Sequence, residues 1–195
     1  IASLKRSPAE AARLLPEAEE QAGTKDRRDL GEDFRWLLQR LAEREPIRID
    51  CGGNGFTATS GAVWGKDRFY EGGNRGGFPA LAIAGTADGS LYQTERYFPE
   101  AGALRGAYRI PLPPGEYKVT LHFSEIWFQA TEQRSFDVSI ERKNVLAGFE
   151  PFARCFATAE SEAVTVEVGD GTLDIEFHRR LQDPQVSGIE VAPRG

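Results

Sequence analysis

The chain has 195 residues, with 24 Lys and Arg against 30 Asp and Glu, a formal charge of -6. This length suits one domain of roughly 150 residues with an appendage. The acidic balance argues against a nucleic-acid partner, and no apolar run approaches the ~18 residues of a membrane span. The sequence contains no methionine and begins at Ile1. It is therefore expected to be a processed product or a piece of a longer protein, which leaves its compartment open.

Residues 1–46 read as two helices joined by a polar loop over Gly23–Arg28. Ser7-Pro8-Ala9-Glu10 is a capping box with proline at the first helical position, and Pro16 should break or kink that helix. A second helix is predicted over 30–45. Its residues Phe34, Leu37, Leu38 and Leu41 fall on one apolar stripe, and Pro46 ends it. Two short helices cannot bury a core alone. The stripe must pack on the main domain, on absent sequence or on a partner protein. The segment carries 9 basic and 10 acidic residues, so it is no basic arm.

From Ile47 to the C-terminus the period changes to two. Tyr117, Val119, Leu121 and Phe123 alternate with polar residues, as do Phe136, Val138 and Ile140. Val164, Val166 and Val168 form a third such series, and Leu173, Ile175 and Phe177 a fourth. These are half-buried antiparallel strands. Shorter strands are predicted at Ile47–Asp50, Ser90–Glu95, Ala107–Ile110, Val145–Phe149 and Ser187–Val191. Pro113-Pro114-Gly115, Lys143-Asn144 and Gly169-Asp170-Gly171 supply turns. Short strands at this spacing indicate an all-β sandwich over 47–195, with the helical appendage at 1–46.

Between Gly52 and Gly89 the alternation fails. Eleven of the 21 glycines lie there, among Trp64, Phe69, Tyr70 and Phe78, which suggests an ordered and functional loop. Cys51 and Cys155 show no metal-ligand spacing and are expected to be buried free thiols. His122 and His178 fall at outward strand positions and are expected to face solvent. No serine-nucleophile motif and no phosphate- or cofactor-binding glycine motif occurs, so neither a cofactor nor a metal is expected.

Trp127 and Phe128 are adjacent in sequence just after a strand, and neighbours in an extended chain point to opposite faces. One ring should therefore be exposed. An exposed ring near carboxylates and amides is the chemistry of sugar binding: the C–H face of a pyranose stacks while polar groups bond its hydroxyls. Glu95, Glu125 and Asp183 are the candidate carboxylates. A carboxylate pair at the right separation could also hydrolyse a glycosidic bond, but exposed charges or ligand hydrogen bonds are the commoner use.

Several segments together resemble the malectin family. Ile49-Asp50-Cys51-Gly52-Gly53 is similar to its opening strand and turn. Trp64, Asp67, Tyr70, Gly72 and Gly73 keep the spacing of a second segment. Leu91-Tyr92-Gln93-Thr94-Glu95-Arg96-Tyr97 is close to a third, and Leu121 to Phe128 to a fourth. Phe136-Asp137-Val138 and Asp183-Pro184 come later, in the family's order. The resemblance runs from about Ile47 to Val191. It implies a jelly-roll β-sandwich similar to galactose-binding domains, and a non-catalytic module that binds oligosaccharide, including glucose disaccharide units. By motif, Tyr97, Trp127 and Phe128 would be the ligand aromatics and Asp183 the ligand carboxylate. The family's further tyrosine has no aligned match, and Tyr70 or Phe78 would substitute. Glu125 is a weaker ligand candidate, and Glu95 and Glu125 carry a second reading as carboxylates holding a loop through backbone N–H groups. Tryptophan at 127 replaces the tyrosine of animal members, which keeps the ring and loses a hydroxyl. Eukaryotic members imply the secretory pathway. The alternative is a protein-interaction or sensor module on the same framework, docking a partner through the helix stripe.

Overall fold

The structure, a computed structural model, describes residues 26–99, 106–152 and 155–194. The expected helix that opens at the Ser7–Glu10 capping box lies outside the described residues. The chain builds two facing antiparallel sheets. One has the order β1 (Ile47–Asp50), β14 (Gly188–Pro193), β8 (Gly115–Phe123) and β11 (Glu160–Val168). The other runs β10 (Lys143–Phe149), β9 (Ser135–Ile140), β12 (Thr172–Leu181), β7 (Gly106–Pro111) and β4 (Tyr70–Glu71). Their inner faces carry the alternating residues. Val119, Leu121, Phe123, Ile189 and Val191 from the first sheet and Phe136, Val138, Ile140, Leu173 and Ile175 from the second are all buried in one core. Period-two burial along β8, β9 and β12 is what a sheet with one wet face requires.

The glycine-rich region is not one loop. It contributes β2 (Phe56–Thr57), β3 (Val63–Trp64), β4 and β5 (Asn74–Gly77), and β5 joins β6 (Thr94–Tyr97) and β13 (Gln185–Val186) in a small third sheet at the end of the sandwich. Asp67 ties this region down. It accepts hydrogen bonds from Gly52 N–H (2.8 Å), Arg96 Nε (2.7 Å) and the Tyr108 hydroxyl (2.8 Å). Arg96 in turn donates to the Gly72 and Gly73 carbonyls. Gly52 has a φ of +73°, and a Cβ there would lie 2.1 Å from the Glu95 carbonyl oxygen, so only glycine lets this turn press on β6.

Five sequence expectations need correction. Ser90–Glu95 is not a strand: α2 (Gly89–Tyr92) precedes β6. Consecutive Leu91 and Tyr92 both enter a second apolar cluster with Ala58 and Trp64, and a helical turn can bury neighbours where a strand would separate them. His122 does not face solvent. Its ring lies 5.3 Å from Trp64, its Nδ1 is 2.8 Å from the Tyr92 hydroxyl, and burial lowers its pKa to about 4. Both cysteines are free, but only Cys51 is buried, and Cys155 is exposed. Helix α1 spans Asp26–Glu43, starting before residue 30 and taking in the end of the expected Gly23–Arg28 loop. Finally, the turn expected at Lys143-Asn144 lies at Glu141-Arg142, whose φ values are 49° and 63°, and Lys143 already opens β10.

Leu37 of α1 is 1% exposed and belongs to the main core, with Leu41 and Trp36 packed beside it. Phe34 meets Phe69 edge-on at 6.2 Å, and the Arg68 guanidinium sits 4.0 Å from the Trp36 ring. Asp33 pairs with Arg68 at 3.4 Å. Phe34, Leu37 and Leu41 of the stripe thus pack on the chain's own sandwich. Past the helix end, Arg44 takes a left-handed φ of 55° and Glu45 N–H closes on the Arg40 carbonyl (3.0 Å), turning the chain into β1. Replacing Leu37 by Ala should cost the whole sandwich about 2–4 kcal/mol, as for a large core side chain. Chemical denaturation checks this: one transition moved to lower denaturant is expected, and an unmoved midpoint would mean that the helix is an independent appendage.

Candidate functional site

Three short segments converge where the third sheet meets the end of the sandwich. The first is β6. Its side chains alternate: Thr94 and Arg96 face the Asp50 and Asp67 carboxylates of the framework, while Glu95 and Tyr97 face a cleft of about 410 Å³. Tyr97 is held from both sides, paired to Asn74 of β5 and Gln185 of β13.

The second segment leaves β8. Ser124, Glu125 and Ile126 are buried, Trp127 is 63% exposed and Phe128 is half-buried. Glu125 explains the abrupt change. Its Oε1 accepts the backbone N–H groups of Trp127 (2.9 Å) and Phe128 (3.0 Å), and its Oε2 lies 3.1 Å from Arg134 Nε. The carboxylate is wholly buried and fixes the turn that presents both rings. Arg134 also lies over the Phe128 ring, 5.1 Å from its centroid.

The third segment is the turn after β5. Phe78 N–H donates to the Gln93 carbonyl and Leu81 N–H to the Phe78 carbonyl, while Gln93 Nε2 donates to the Leu81 carbonyl. So held, the Phe78 ring meets Trp127 with centroids 5.6 Å apart, forming a ridge. On one side of the ridge is the polar cleft. On the other is an apolar hollow of about 630 Å³, lined by Phe78, Leu81, Ile126, Trp127 and Phe156 among others.

The cleft gathers Tyr97, Trp127, Phe128, Asp183 and Phe78, five of the residues expected from sequence. Asp183 reaches it from the turn before β13, and its Oδ1 lies 3.4 Å from Arg179 Nη1. Two expected residues are elsewhere. Tyr70 is on β4 at the sheet edge, where the Arg96 guanidinium covers its ring at 3.3 Å. It does not line the cleft, because its strand pairs with β7 rather than with β6. Glu125 lies beneath the cleft and holds its floor, which is the backbone role allowed for it by the sequence.

Sequence reasoning missed Arg75, Gly76, Arg134 and Gln182, which also line the cleft. Arg75 is turned to the Gly52 carbonyl (2.6 Å) and Asn54 (2.9 Å). No local pattern marks Arg134, whose significance comes from lying between two carboxylates, Glu125 on the preceding turn and the distant Glu95 of β6. The sequence offers Glu95 as a candidate carboxylate or as a group holding a loop through backbone N–H groups. The structure makes it a buried group in the cleft wall, 5% exposed, with Oε2 3.7 Å from Arg134 Nη1. Burial pushes its pKa up to about 7. Arg134 opposes that shift, and Glu125 and Asp183 reinforce it.

Known proteins resemble this chain in sequence and fold. The family described as Malectin domain matches residues 46–189. The chain is 27% identical to Malectin-B of Xenopus laevis over 142 residues, which are 70% of this chain and 50% of that protein. It is 32% identical to Malectin of Homo sapiens over 91 residues, 46% of this chain and 30% of that protein. The chain thus spans at most about half the length of these curated relatives. Among solved structures, a Bacteroides uniformis β-glucuronidase superposes with a TM-score of 0.69 at 24% identity, covering 78% of this chain and 18% of that one. The plant receptor-like kinase FER gives 0.63 at 20% identity, covering 74% and 48%. These two show the fold alone, while the family match over residues 46–189 covers most of the sequence: the chain belongs to the malectin domain family.

Proposed function

We propose that this domain is a carbohydrate-binding module whose site is the cleft between β6, the Glu125 turn and the Phe78 turn. The observation that carries this reading is Trp127, a large ring 63% exposed yet fixed through its backbone by a buried carboxylate. A folded protein gains no stability from holding an indole in water, so rigid exposure points to a binding use. Trp127 and Phe128 offer faces for pyranose C–H groups, with Tyr97 opposite. Asp183 and Gln182 offer acceptors and donors for hydroxyls. Family membership supports the same class of ligand, and glucose-containing disaccharides are the first to try. A shallow cleft of this size fits affinities of about micromolar to millimolar, since ordering costs offset much of the contact energy.

The test is a glycan array followed by titration with nigerose and maltose, read by Trp fluorescence. Trp127→Ala should weaken binding at least tenfold, about 1.4 kcal/mol or more. Its stability should stay within ~0.5 kcal/mol of wild type, as for an exposed site outside the core. Unchanged affinity would remove Trp127 from the site.

A second reading, glycoside hydrolysis, is favoured by one fact: Glu95 and Asp183 share the cleft and Glu95 titrates at about 7, suited to a general acid. Asp183 is engaged by Arg179, which suits a binding carboxylate better than a nucleophile. Prolonged incubation with nigerose and maltose should leave both intact. Glucose release would establish the enzyme instead.

A further inference from the structure

Glu95 is an unusual group to find in a framework strand. It is buried, yet its Oε2 makes no hydrogen bond and faces Arg134 Nη1 at 3.7 Å, beyond hydrogen-bond distance. Arg134 is shared: its Nε faces Glu125 at 3.1 Å. One guanidinium therefore serves two buried carboxylates, and Glu95 has the weaker share. The other side of the Glu95 carboxyl meets the cleft wall at Gly76, its partner across β5 and β6. A Cβ on Gly76 would lie 3.3 Å from Glu95 Oε1 and 3.3 Å from Tyr97 Cδ1, so glycine keeps the approach to this carboxyl open.

We infer that Glu95 is a specificity-determining residue of the cleft, whose carboxylate accepts hydrogen bonds from hydroxyls of the bound sugar. The inference rests on the carbohydrate reading above and adds a residue and a regulation to it. A buried carboxylate short of donors is the group that a polyol completes, because charge-assisted O–H···O⁻ bonds are about twice as strong as neutral ones. Gln182, Asp183 and Tyr97 surround the same space, so a sugar stacked on Trp127 and Phe128 can turn an edge toward Glu95. The groups facing Glu95 are Arg134 before β9, Glu125 after β8 and Asp183 before β13. Arg75, from β5, lines the cleft but is bonded to Gly52 and Asn54.

The consequence is a pH dependence. In the free protein burial holds the Glu95 pKa at about 7. If the ligand needs the carboxylate, protonation competes with it, and affinity falls as pH drops through 7. Between pH 8 and pH 6 the ionised fraction of a group titrating near 7 falls about tenfold, and the affinity should fall with it. Stability runs the other way. A carboxyl whose folded pKa is raised contributes fully below its unfolded value of 4.5 and loses that contribution as pH rises through 7.

The experiment compares wild type with Glu95→Gln, an isosteric change, using nigerose and maltose at pH 6 and pH 8, with melting curves at pH 4.5 and pH 8. Wild type should bind about tenfold more tightly at pH 8. Glu95→Gln should bind at least tenfold more weakly than wild type at pH 8 and lose the pH dependence. Its melting temperature should match wild type at pH 4.5 and equal or exceed it at pH 8, so the lost affinity is not lost folding. Binding that Glu95→Gln retains at both pH values overturns the inference and leaves the carbohydrate reading standing. No saturable binding of either disaccharide by wild type at pH 8 overturns the inference together with that reading for these sugars.

Discussion

The site depends on a single buried carboxylate. Glu125 has no exposed surface, and it accepts two consecutive backbone N–H groups while facing Arg134. Burying an unpaired carboxylate would cost several kcal/mol. The chain can keep it only by folding the Trp127–Phe128 backbone around one oxygen and bringing Arg134 to the other. That requirement makes the turn rigid, and the rigidity carries Trp127 out into solvent while Ile126, one residue earlier, is 3% exposed. Exposure of the ring is thus a product of burial of the acid.

A comparable division of labour runs along β6. Arg96 and Thr94 bond to Asp67 and Asp50, which anchor the glycine-rich region. Glu95 and Tyr97, on the opposite face of the same strand, line the cleft. Alternation alone separates the framework from the site within four residues. It also means that the cleft inherits its geometry from the Asp67–Arg96 pair, two side chains that never touch the cleft. The Trp64, Asp67, Tyr70 and Gly72-Gly73 segment, so prominent in the sequence, is therefore framework. Asp67 is a hub for backbone and side-chain donors, and Tyr70 shields the Arg96 guanidinium.

The features legible in the sequence came from periodicity and adjacency. Val119, Leu121 and Phe123 announced a half-buried strand, and the Trp127–Phe128 adjacency announced an exposed ring. Both signals are local, set by the pleat of a single strand. The hidden features depended on contacts between distant segments. His122 occupies an outward position on β8, yet Trp64 from the glycine-rich region and Tyr92 from α2 arrive to cover it. Leu91 and Tyr92 look strand-forming, but their shared burial selects a helical turn. Trp36 falls outside the expected stripe and still packs on the core, because Gly65 leaves room for its ring. Arg134 carries no local signature at all. Its role exists only once β6 and β8 lie beside the start of β9.

The arrangement of charge beneath the cleft explains why such a residue matters. Two buried carboxylates, Glu95 and Glu125, face one guanidinium. The framework satisfies Glu125 with two N–H groups besides, and gives Glu95 no comparable set of donors. A second arginine or a pair of backbone donors would have made Glu95 as settled as its neighbour, and would also have made it inert. Leaving it short concentrates unsatisfied hydrogen-bonding capacity at the cleft wall, at a cost in stability that the extensive core of the two sheets can bear. The same burial that raises the Glu95 pKa therefore sharpens its demand for a donor. In a cleft lined also by Phe78, Tyr97, Trp127 and Phe128, the polyhydroxylated ring proposed as ligand would supply both the donor for the acid and the apolar face for the indole.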